Sequence, residues 1–330
     1  MNQVKIIAEV GSTHDGSFGN ACKSIELLAE LGVDAVKFQT HIAEAETIRN
    51  APQPSYFSGE PRFEYFQRTA FSEVQWKEIA NLCKKLNVEF ISSPFSLEAV
   101  DLLEKVGMDS YKIPSGEVTN LHLLEKIKGT NKPVLLSSGM SNWAELNRAL
   151  EVFGNKYPLV LLQCSSQYPC QAEHVGLNVM SEMKKRFNVD VGFSDHTLGM
   201  AASISAVALG ATVIEKHFTF SKYMYGSDAK HSMEPSEFQV FMNEIRFAER
   251  ILHSPVDKNN IDPYLDMKKV FEKSIVAKVN LSAGTILEIE HLSFKKPGDG
   301  ISASSFKDVL GKRIKRDLCV DEQLKESDLE

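Results

Sequence analysis

The sequence lacks the features that mark several large classes of protein. None of its apolar runs approaches the roughly 20 residues that a membrane-spanning helix needs. No basic run of the kind typical of nucleic-acid-binding proteins is present, and the net charge is −7. The first residues enter a strand-like run without a signal-peptide pattern. We therefore expect no membrane span, no nucleic-acid partner and a cytoplasmic location.

Cysteine is scarce and irregularly placed. The chain has five cysteines, an odd number, and none of them belongs to a Cys-x-x-Cys pair. A disulfide framework or a structural zinc site needs paired thiols at regular spacings. The pattern therefore favours free thiols in a reducing compartment, which agrees with a cytoplasmic location.

Short apolar runs alternate with amphipathic helical patterns over residues 1–254. Eight such units follow one another, from the strand-like run at 5–10 to the helical pattern at about 235–252. This alternation predicts an α/β fold in which a parallel sheet closes into a (β/α)8 TIM barrel. A doubly wound open sheet is the alternative, but no Gly-x-Gly-x-x-Gly follows the first strand.

Two other parts of the chain depart from this alternation. Residues 40–71 are rich in proline, glycine and aromatic side chains such as Tyr56 and Phe57, and they predict a long irregular lid or binding loop. Residues 255–270 are polar and predict a linker. Residues 271–330 contain short β-like runs and tight turns, which predict a small β-rich domain. Because so small a domain is marginally stable alone, we expect it to dock on a barrel, its own or a partner's.

Two histidines stand just past the ends of the seventh and eighth predicted strands. His196 lies in GFSDHT at 192–197, and His217 lies in VIEKHF at 213–218. If the two strands are parallel neighbours, both imidazoles reach the same edge of the sheet. Two neutral imidazoles with nearby carboxylates suit a divalent metal. The alternative is a pair of unrelated polar strand ends.

Lysines and hydroxyl side chains gather at the same predicted strand ends. The lysines Lys37 and Lys112 supply charge, and hydroxyls such as that of Ser115 supply geometry, which together suit a phosphate group. Lys112 could instead form a salt bridge with a glutamate at the barrel mouth. Either lysine could also form a Schiff base. The paired histidines weigh against an imine, because a metal would already activate the electrophile.

Four further side chains lie at the predicted mouth. Glu9 ends the first strand and could be a general base, or a structural partner for a lysine or a metal-bound water. His14 and His41 lie in mouth loops, and we expect loop roles rather than metal ligation. Cys164 is expected to be a small buried side chain, since no base is identifiable beside it.

Taken in order, the strand-end motifs resemble those of the sialic acid (nonulosonate) synthases. The motifs are AEVGSTHDG at 8–16, VKFQT at 36–40, SSPFS at 92–96, YKIPSGE at 111–117, LSSGM at 136–140, SDHT at 194–197 and EKHFT at 215–219. KPGDGI at 296–301 and LGK at 310–312 are similar to the antifreeze-like (SAF) domain of that family. The resemblance covers nearly the whole chain.

This resemblance implies an activity. Members of the family are transferases that condense phosphoenolpyruvate with an N-acetylmannosamine-type hexosamine and release phosphate by C–O cleavage. They need a divalent metal, commonly Mn²⁺, with Mg²⁺ or Co²⁺ as alternatives. They also form a domain-swapped homodimer, in which the tail of each chain covers the partner's barrel mouth.

The resemblance also implies roles for individual residues. His196 and His217 would hold the metal, which binds and polarises the sugar aldehyde. Glu9 would handle proton transfer or position the water that attacks C2, and it would form the catalytic set with Lys37, Lys112 and His217. The implied phosphoenolpyruvate ligands are Lys37, Lys112, Ser115, Ser137 and Ser166. The implied sugar ligands are Gln39, Tyr168, Asp228 and Lys296.

Two positions depart from the family pattern. Ser166 stands where the family often has Asn, and Lys296 stands where it has an Arg that reaches the sugar's N-acetyl region from the partner subunit. A lysine lacks the planar fork of a guanidinium, so Lys296 favours a modified acceptor sugar.

Three functions are alternatives to a nonulosonate synthase. They are another metal-dependent barrel aldolase, a seven-carbon sugar-acid synthase that uses phosphoenolpyruvate, and a non-catalytic sugar-binding or scaffold protein.

Overall fold

The computed structural model describes residues 3–52 and 60–330, and the chain divides into two compact units, Met1–Ser254 and Pro255–Glu330. In the first unit eight parallel strands form a closed barrel in chain order, with β1 paired to both β2 and β8. The strands are β1 Lys5–Gly11, β2 Ala35–Thr40, β3 Glu89–Pro94, β4 Ser110–Ile113, β5 Val134–Ser137, β6 Leu159–Cys164, β7 Asp190–Asp195 and β8 Val213–His217. The predicted (β/α)8 barrel is confirmed, and the open sheet is excluded.

Helices separate the strands along the chain. Those of the first unit are α1 Phe18–Glu30, α2 Ala43–Glu46, α3 Arg62–Thr69, α4 Glu73–Lys85, α5 Leu97–Val106, α6 Leu121–Gly129, α7 Trp143–Phe153, α8 Asn178–Phe187, α9 Ala201–Ala208 and α10 Pro235–Leu252. α4 begins with a reciprocal capping box between Ser72 and Gln75, which satisfies backbone N–H groups that the first turn leaves free. Among the described residues, no helix has the length and apolarity that a membrane crossing requires.

The prediction of an irregular loop at 40–71 was wrong where α2 and α3 form. α3 buries Phe63 and Phe66 on one face, three residues apart, which is the spacing of a helix. These rings pack with Ala43 and Tyr65 in a small cluster of their own. Tyr56 and Phe57, which the sequence placed in the same loop, lie outside the described residues.

The interior of the barrel is apolar at its base and charged at its mouth. One interior cluster contains Ile7, Ala35, Ile91, Leu135, Leu162 and Val213. Alternate side chains of a strand face the same side of the sheet. Glu9 therefore points into the barrel as Ile7 does, and Lys37 points inward as Ala35 does. Glu215 and His217 follow Val213 in the same way. The register also places Glu9 beside both Lys37 and His217.

The second unit is small and β-rich, as expected. Its antiparallel strands are β9 Ser274–Ala277 and β10 Leu292–Lys295, and single bridges such as Leu281 with Leu318 extend the pairing. It has a separate hydrophobic core and two short helices, α11 Leu265–Phe271 and α12 Phe306–Val309. Part of the stretch at 255–270, predicted as a linker, is therefore helical.

Candidate active site

Two lysines and two glutamates form a buried network at the mouth of the barrel. The Nζ of Lys112 lies 2.8 and 2.9 Å from the two carboxylate oxygens of Glu215. The Nζ of Lys37 lies 2.7 Å from Oε2 of Glu9 and 3.8 Å from Oε1 of Glu215. All four side chains are at most 4% exposed. Two positive and two negative charges thus compensate each other inside the barrel.

The charges of this network sustain one another. Burial opposes the ionisation of the Glu215 carboxyl group. The positive charges of Lys112 and Lys37, together with a 2.9 Å hydrogen bond from the hydroxyl of Ser194, outweigh the effect of burial. They hold the pKa of Glu215 well below its usual range. Burial also disfavours the charged form of Lys37, but the carboxylates of Glu215 and Glu9 outweigh burial and raise its pKa. Glu215 and Lys37 are therefore both charged at neutral pH.

The salt bridge considered as an alternative for Lys112 is present, with Glu215 as its partner. It is compatible with anion binding, because an ammonium group has three N–H donors. No role was predicted for Glu215 from the sequence. It lies two residues before His217 on β8, so strand alternation was the signal that could have placed it on the interior face.

His196 and His217 lie side by side, with ring centroids 5.7 Å apart. The Nδ1–H of His196 donates to the backbone carbonyl of Ser165 at 2.5 Å, and its Nε2 lies 3.1 Å from the hydroxyl of Tyr168. Burial, reinforced by His217, lowers the pKa of His196 to about 3, so its ring is neutral at neutral pH. The Nδ1 of His217 is buried and has no hydrogen-bond partner among the described residues.

This pair fits a divalent metal. The carbonyl of Ser165 holds His196 in the tautomer whose Nε2 keeps its lone pair, as partners of metal-bound histidines commonly do. In the part of the chain that the structure describes, no group of three or more His, Cys, Asp or Glu side chains is arranged to hold a metal. The described residues therefore offer two nitrogen ligands, and water or substrate would supply the others.

An ion pair fixes the turn that carries His196. The Nζ of Lys216 lies 3.1 Å from Oδ2 of Asp195 and donates to the carbonyls of Thr197 and Gly199 at 2.5 and 2.9 Å. Asp195 also accepts from the backbone N–H of Thr197 at 2.8 Å. Because these bonds tie down the residues on both sides of His196, they hold the imidazole in place.

A cradle of small side chains surrounds Gly139, just past β5. A Cβ at this position would lie 2.6 Å from the hydroxyl oxygens of both Ser115 and Ser166 and 2.7 Å from the Sγ of Cys164. Ser115 accepts from the N–H of Gly139 at 3.1 Å. Ser137 ends β5 with its side chain buried. The structure thus brings together Ser115 and Ser166, two of the three serines predicted as phosphoenolpyruvate ligands, and places the third, Ser137, at the end of β5.

A cavity of about 390 Å³ adjoins this cradle. Asp228 lines it and accepts hydrogen bonds from the hydroxyls of Ser12 at 2.9 Å and Ser227 at 3.0 Å. Burial opposes the ionisation of Asp228, but His217 and these bonds outweigh it and lower the pKa. Predicted site residues that line the cavity are Gln39, Ser115, Ser166, Tyr168, His217 and Asp228.

Two other residues singled out in the sequence have separate contacts. Lys296 belongs to the second unit, where its Nζ is 4.9 Å from the ring centroid of Phe271, and its contact with a sugar stays a prediction. The ring of His14 is tilted by 32° from that of Phe71, with the centroids 4.5 Å apart, and its Nδ1 accepts from the N–H of Gly16 at 3.1 Å. Burial lowers the pKa of His14 to about 4. These contacts give His14 a structural place in the loop after β1.

A closed (β/α)8 barrel with charged groups and histidines at the C-terminal ends of its strands has the architecture of a barrel enzyme. The chain belongs to the NeuB family, whose model matches residues 24–257, and an SAF domain matches residues 272–330. The family resemblance drawn from the motifs is confirmed.

The chain is similar to synthases over most of its length. It is 38% identical to N,N'-diacetyllegionaminic acid synthase of Campylobacter jejuni over 99% of this chain and 100% of that protein. It is 34% identical to human N-acetylneuraminate-9-phosphate synthase, covering 88% of this chain and 82% of that protein. The fold is also similar to a solved structure, that of an N-acetylneuraminic acid (sialic acid) synthetase from Leptospira borgpetersenii in complex with citrate. The two chains superpose with a TM-score of 0.73 and 27% identity, over 81% of this chain and 92% of that one. The expectation of an enzyme is confirmed.

Glu215→Gln keeps the shape of the side chain but removes the carboxylate that faces Lys112. Removing one partner of a buried ion pair commonly costs about 3–5 kcal/mol. We expect the free energy of unfolding to fall by about 3 kcal/mol in this variant. Urea denaturation followed by tryptophan fluorescence measures this, because both tryptophans, Trp76 and Trp143, lie in the barrel unit.

The matched control is Glu182→Gln, which breaks an exposed pair with Arg186 on α8. Such i,i+4 pairs contribute about 0.2–0.5 kcal/mol, so this variant should stay close to the wild type. Equal losses in the two variants would show that the buried network adds no charge-specific stability.

Proposed function

We propose that this enzyme is a nonulosonate synthase, which condenses phosphoenolpyruvate with an N-acetylmannosamine-type hexosamine and releases phosphate. The observation that carries the proposal is the placement of two buried lysines beside a histidine pair at one barrel mouth. The lysines suit the phosphate and carboxylate of phosphoenolpyruvate. The names of the two synthases described above support the class of product.

Different side chains of the mouth have different roles in the proposed reaction. Lys37 and Lys112 bind the anionic groups of phosphoenolpyruvate, and the hydroxyls in the cradle around Gly139 orient its phosphate. C3 of phosphoenolpyruvate bonds to the aldehyde carbon of the sugar, and the aldehyde oxygen takes up a proton from solvent water to become a hydroxyl. Glu9 positions a water that adds to the cation developing at C2 and accepts its proton. The C2–O bond then breaks, and phosphate leaves with the bridging oxygen.

His196 and His217 would hold the divalent metal, with Mn²⁺ as the first choice and Mg²⁺ or Co²⁺ as alternatives. Bound there, the ion would supply Lewis-acid polarisation of the sugar aldehyde. Gln39, Tyr168 and Asp228 line the same cavity and would orient the sugar. Lys296 would reach the sugar across a homodimer. The homodimer and the cytoplasmic location stay predictions.

Phosphate release tests the proposed function directly. The protein is incubated with phosphoenolpyruvate, Mn²⁺ and one acceptor at a time: N-acetylmannosamine, its 6-phosphate, or a 2,4-diacetamido-trideoxy hexose. We expect phosphate release with at least one acceptor and background release without any. Failure with every acceptor would refute the proposal.

His217→Ala tests the metal assignment. The variant loses an imidazole whose Nδ1 is buried and unpartnered among the described residues, so it should fold normally but bind Mn²⁺ more weakly. Electron paramagnetic resonance of free Mn²⁺ measures binding, and phosphate release measures turnover. His122→Ala, at an exposed position on α6, is the matched control. Wild-type Mn²⁺ binding and turnover in His217→Ala would remove the metal assignment.

Gly139→Ala tests the phosphate cradle. The added methyl group would lie 2.6 Å from the hydroxyl oxygens of Ser115 and Ser166, so these hydroxyls must move and the proposed phosphate site changes shape. We expect the KM for phosphoenolpyruvate to rise about tenfold or more, a loss of about 1.4 kcal/mol in binding. Gly129→Ala on α6 is the control, because a methyl group there meets nothing within 4 Å. An unchanged KM in Gly139→Ala would place phosphate binding elsewhere.

A further inference from the structure

His41, just past β2, is enclosed by aromatic rings from two other elements of the mouth. Its ring stacks on Phe66 of α3 with a centroid separation of 3.7 Å and an interplanar angle of 6°. It also stacks on Phe95, just past β3, at 4.2 Å and 18°. Two rings stacked at these distances occupy opposite faces of the imidazole. The side chains of His41 and its partner Glu46 are 7% and 5% exposed.

Both ring nitrogens of His41 face hydrogen-bond acceptors. Nδ1 lies 2.9 and 3.0 Å from the carboxylate oxygens of Glu46, on α2. Nε2 lies 3.2 Å from Oε1 of Gln39, whose own Nε2 donates to Oε1 of Glu9 at 2.9 Å. An ionised carboxylate only accepts, so Glu9 turns the NH₂ group of Gln39 toward itself and the amide oxygen toward His41.

These contacts indicate a charged ring. A neutral imidazole has one N–H and satisfies one of the two acceptors, whereas an imidazolium satisfies both. Nearly parallel rings at 3.7 Å overlap face to face, which two neutral aromatic rings disfavour. A cation between two aromatic faces is attracted by both. The carboxylate of Glu46 adds an opposite charge within hydrogen-bond distance.

Other titratable and charged groups surround this part of the mouth. It interacts through space with His14 and with Glu117, whose pKa is raised by burial. The guanidinium of Arg62 lies 5.0 Å from the ring centroid of Phe66. Glu46 is the carboxylate that lies within hydrogen-bond distance of the His41 ring.

We propose that His41 is a positioning residue, held as an imidazolium by Glu46 and two phenylalanine rings, that orients the amide of Gln39 toward Glu9. The inference rests on the proposed function, in which Glu9 acts on the attacking water. If His41 loses its charge, its Nε2 becomes an acceptor and the Gln39 amide turns over. The amide oxygen then faces the carboxylate of Glu9, and the two repel each other.

Glu46→Gln tests this role through turnover. The new amide oxygen can still accept from Nδ1–H of His41, so a neutral and merely structural histidine tolerates the change. Loss of the negative charge removes the group that stabilises the imidazolium. We expect kcat to fall roughly tenfold to hundredfold, because misplaced catalytic groups cost rates of that order. The KM for phosphoenolpyruvate should stay within about twofold, because Lys37 and Lys112 are untouched.

The matched control is Glu44→Gln, on the same helix. Glu44 is exposed and accepts a hydrogen bond from Gln67 at 3.0 Å. The kcat and KM of the Glu44→Gln variant should equal those of the wild type. If the wild-type enzyme is active and Glu46→Gln has the same kcat, the proposal is overturned.

Nitrogen NMR of the histidine rings gives a readout that does not depend on activity. At neutral pH both ring nitrogens of His41 should show the shifts of protonated nitrogen, with the signals assigned by their loss in His41→Gln. In Glu46→Gln one of them should move toward the shift of an unprotonated nitrogen. A neutral His41 in the wild type would overturn the proposal. Absence of phosphate release from the wild type would refute the proposed function instead, and the NMR result would still decide the charge of His41.

Discussion

The carboxylate of Glu215 is the group on which the barrel mouth depends. Two ammonium groups buried in one barrel need compensating charge, because an unpaired buried charge is strongly unfavourable. Glu215 contacts Lys112 at 2.8 Å and lies 3.8 Å from Lys37, which Glu9 holds from the other side at 2.7 Å. The side chains of both lysines are thus fixed in position independently of substrate. Such preorganised charge is the main device by which enzymes stabilise developing charge.

The groups proposed to bind phosphate, to hold the metal and to transfer protons belong to one connected arrangement. The register of β1 and β8 places Glu9 beside His217, and Gln39 connects Glu9 to His41. On the outer side of the strands, Lys216 and Asp195 hold the turn that carries His196. A change at the carboxylate of Glu9 therefore affects Gln39 and His217, which have different proposed roles. This connection explains why the residues share one barrel mouth.

The strand–helix alternation was sufficient to predict the barrel, because each buried strand and amphipathic helix has a distinct period. α3 escaped prediction because it is short and packs on its own cluster rather than on the barrel core. The histidine pair could be predicted because His217 ends β8 and His196 lies just past β7. Glu215 was not singled out, although it lies two residues before His217 and therefore on the same face of β8. The role of His41 depends on Phe66 and Phe95, which come together only in the folded chain.

The fate of the bridging oxygen of phosphoenolpyruvate tests the central claim most directly. The claim is that the lysines hold phosphoenolpyruvate while water adds at C2 and phosphate leaves by C–O cleavage. Phosphoenolpyruvate carrying a heavy oxygen isotope at the bridge is turned over with an active acceptor, and the phosphate is examined by phosphorus NMR. The account predicts the heavy isotope in the released phosphate. Heavy isotope retained in the sugar acid would show P–O cleavage and would contradict the account.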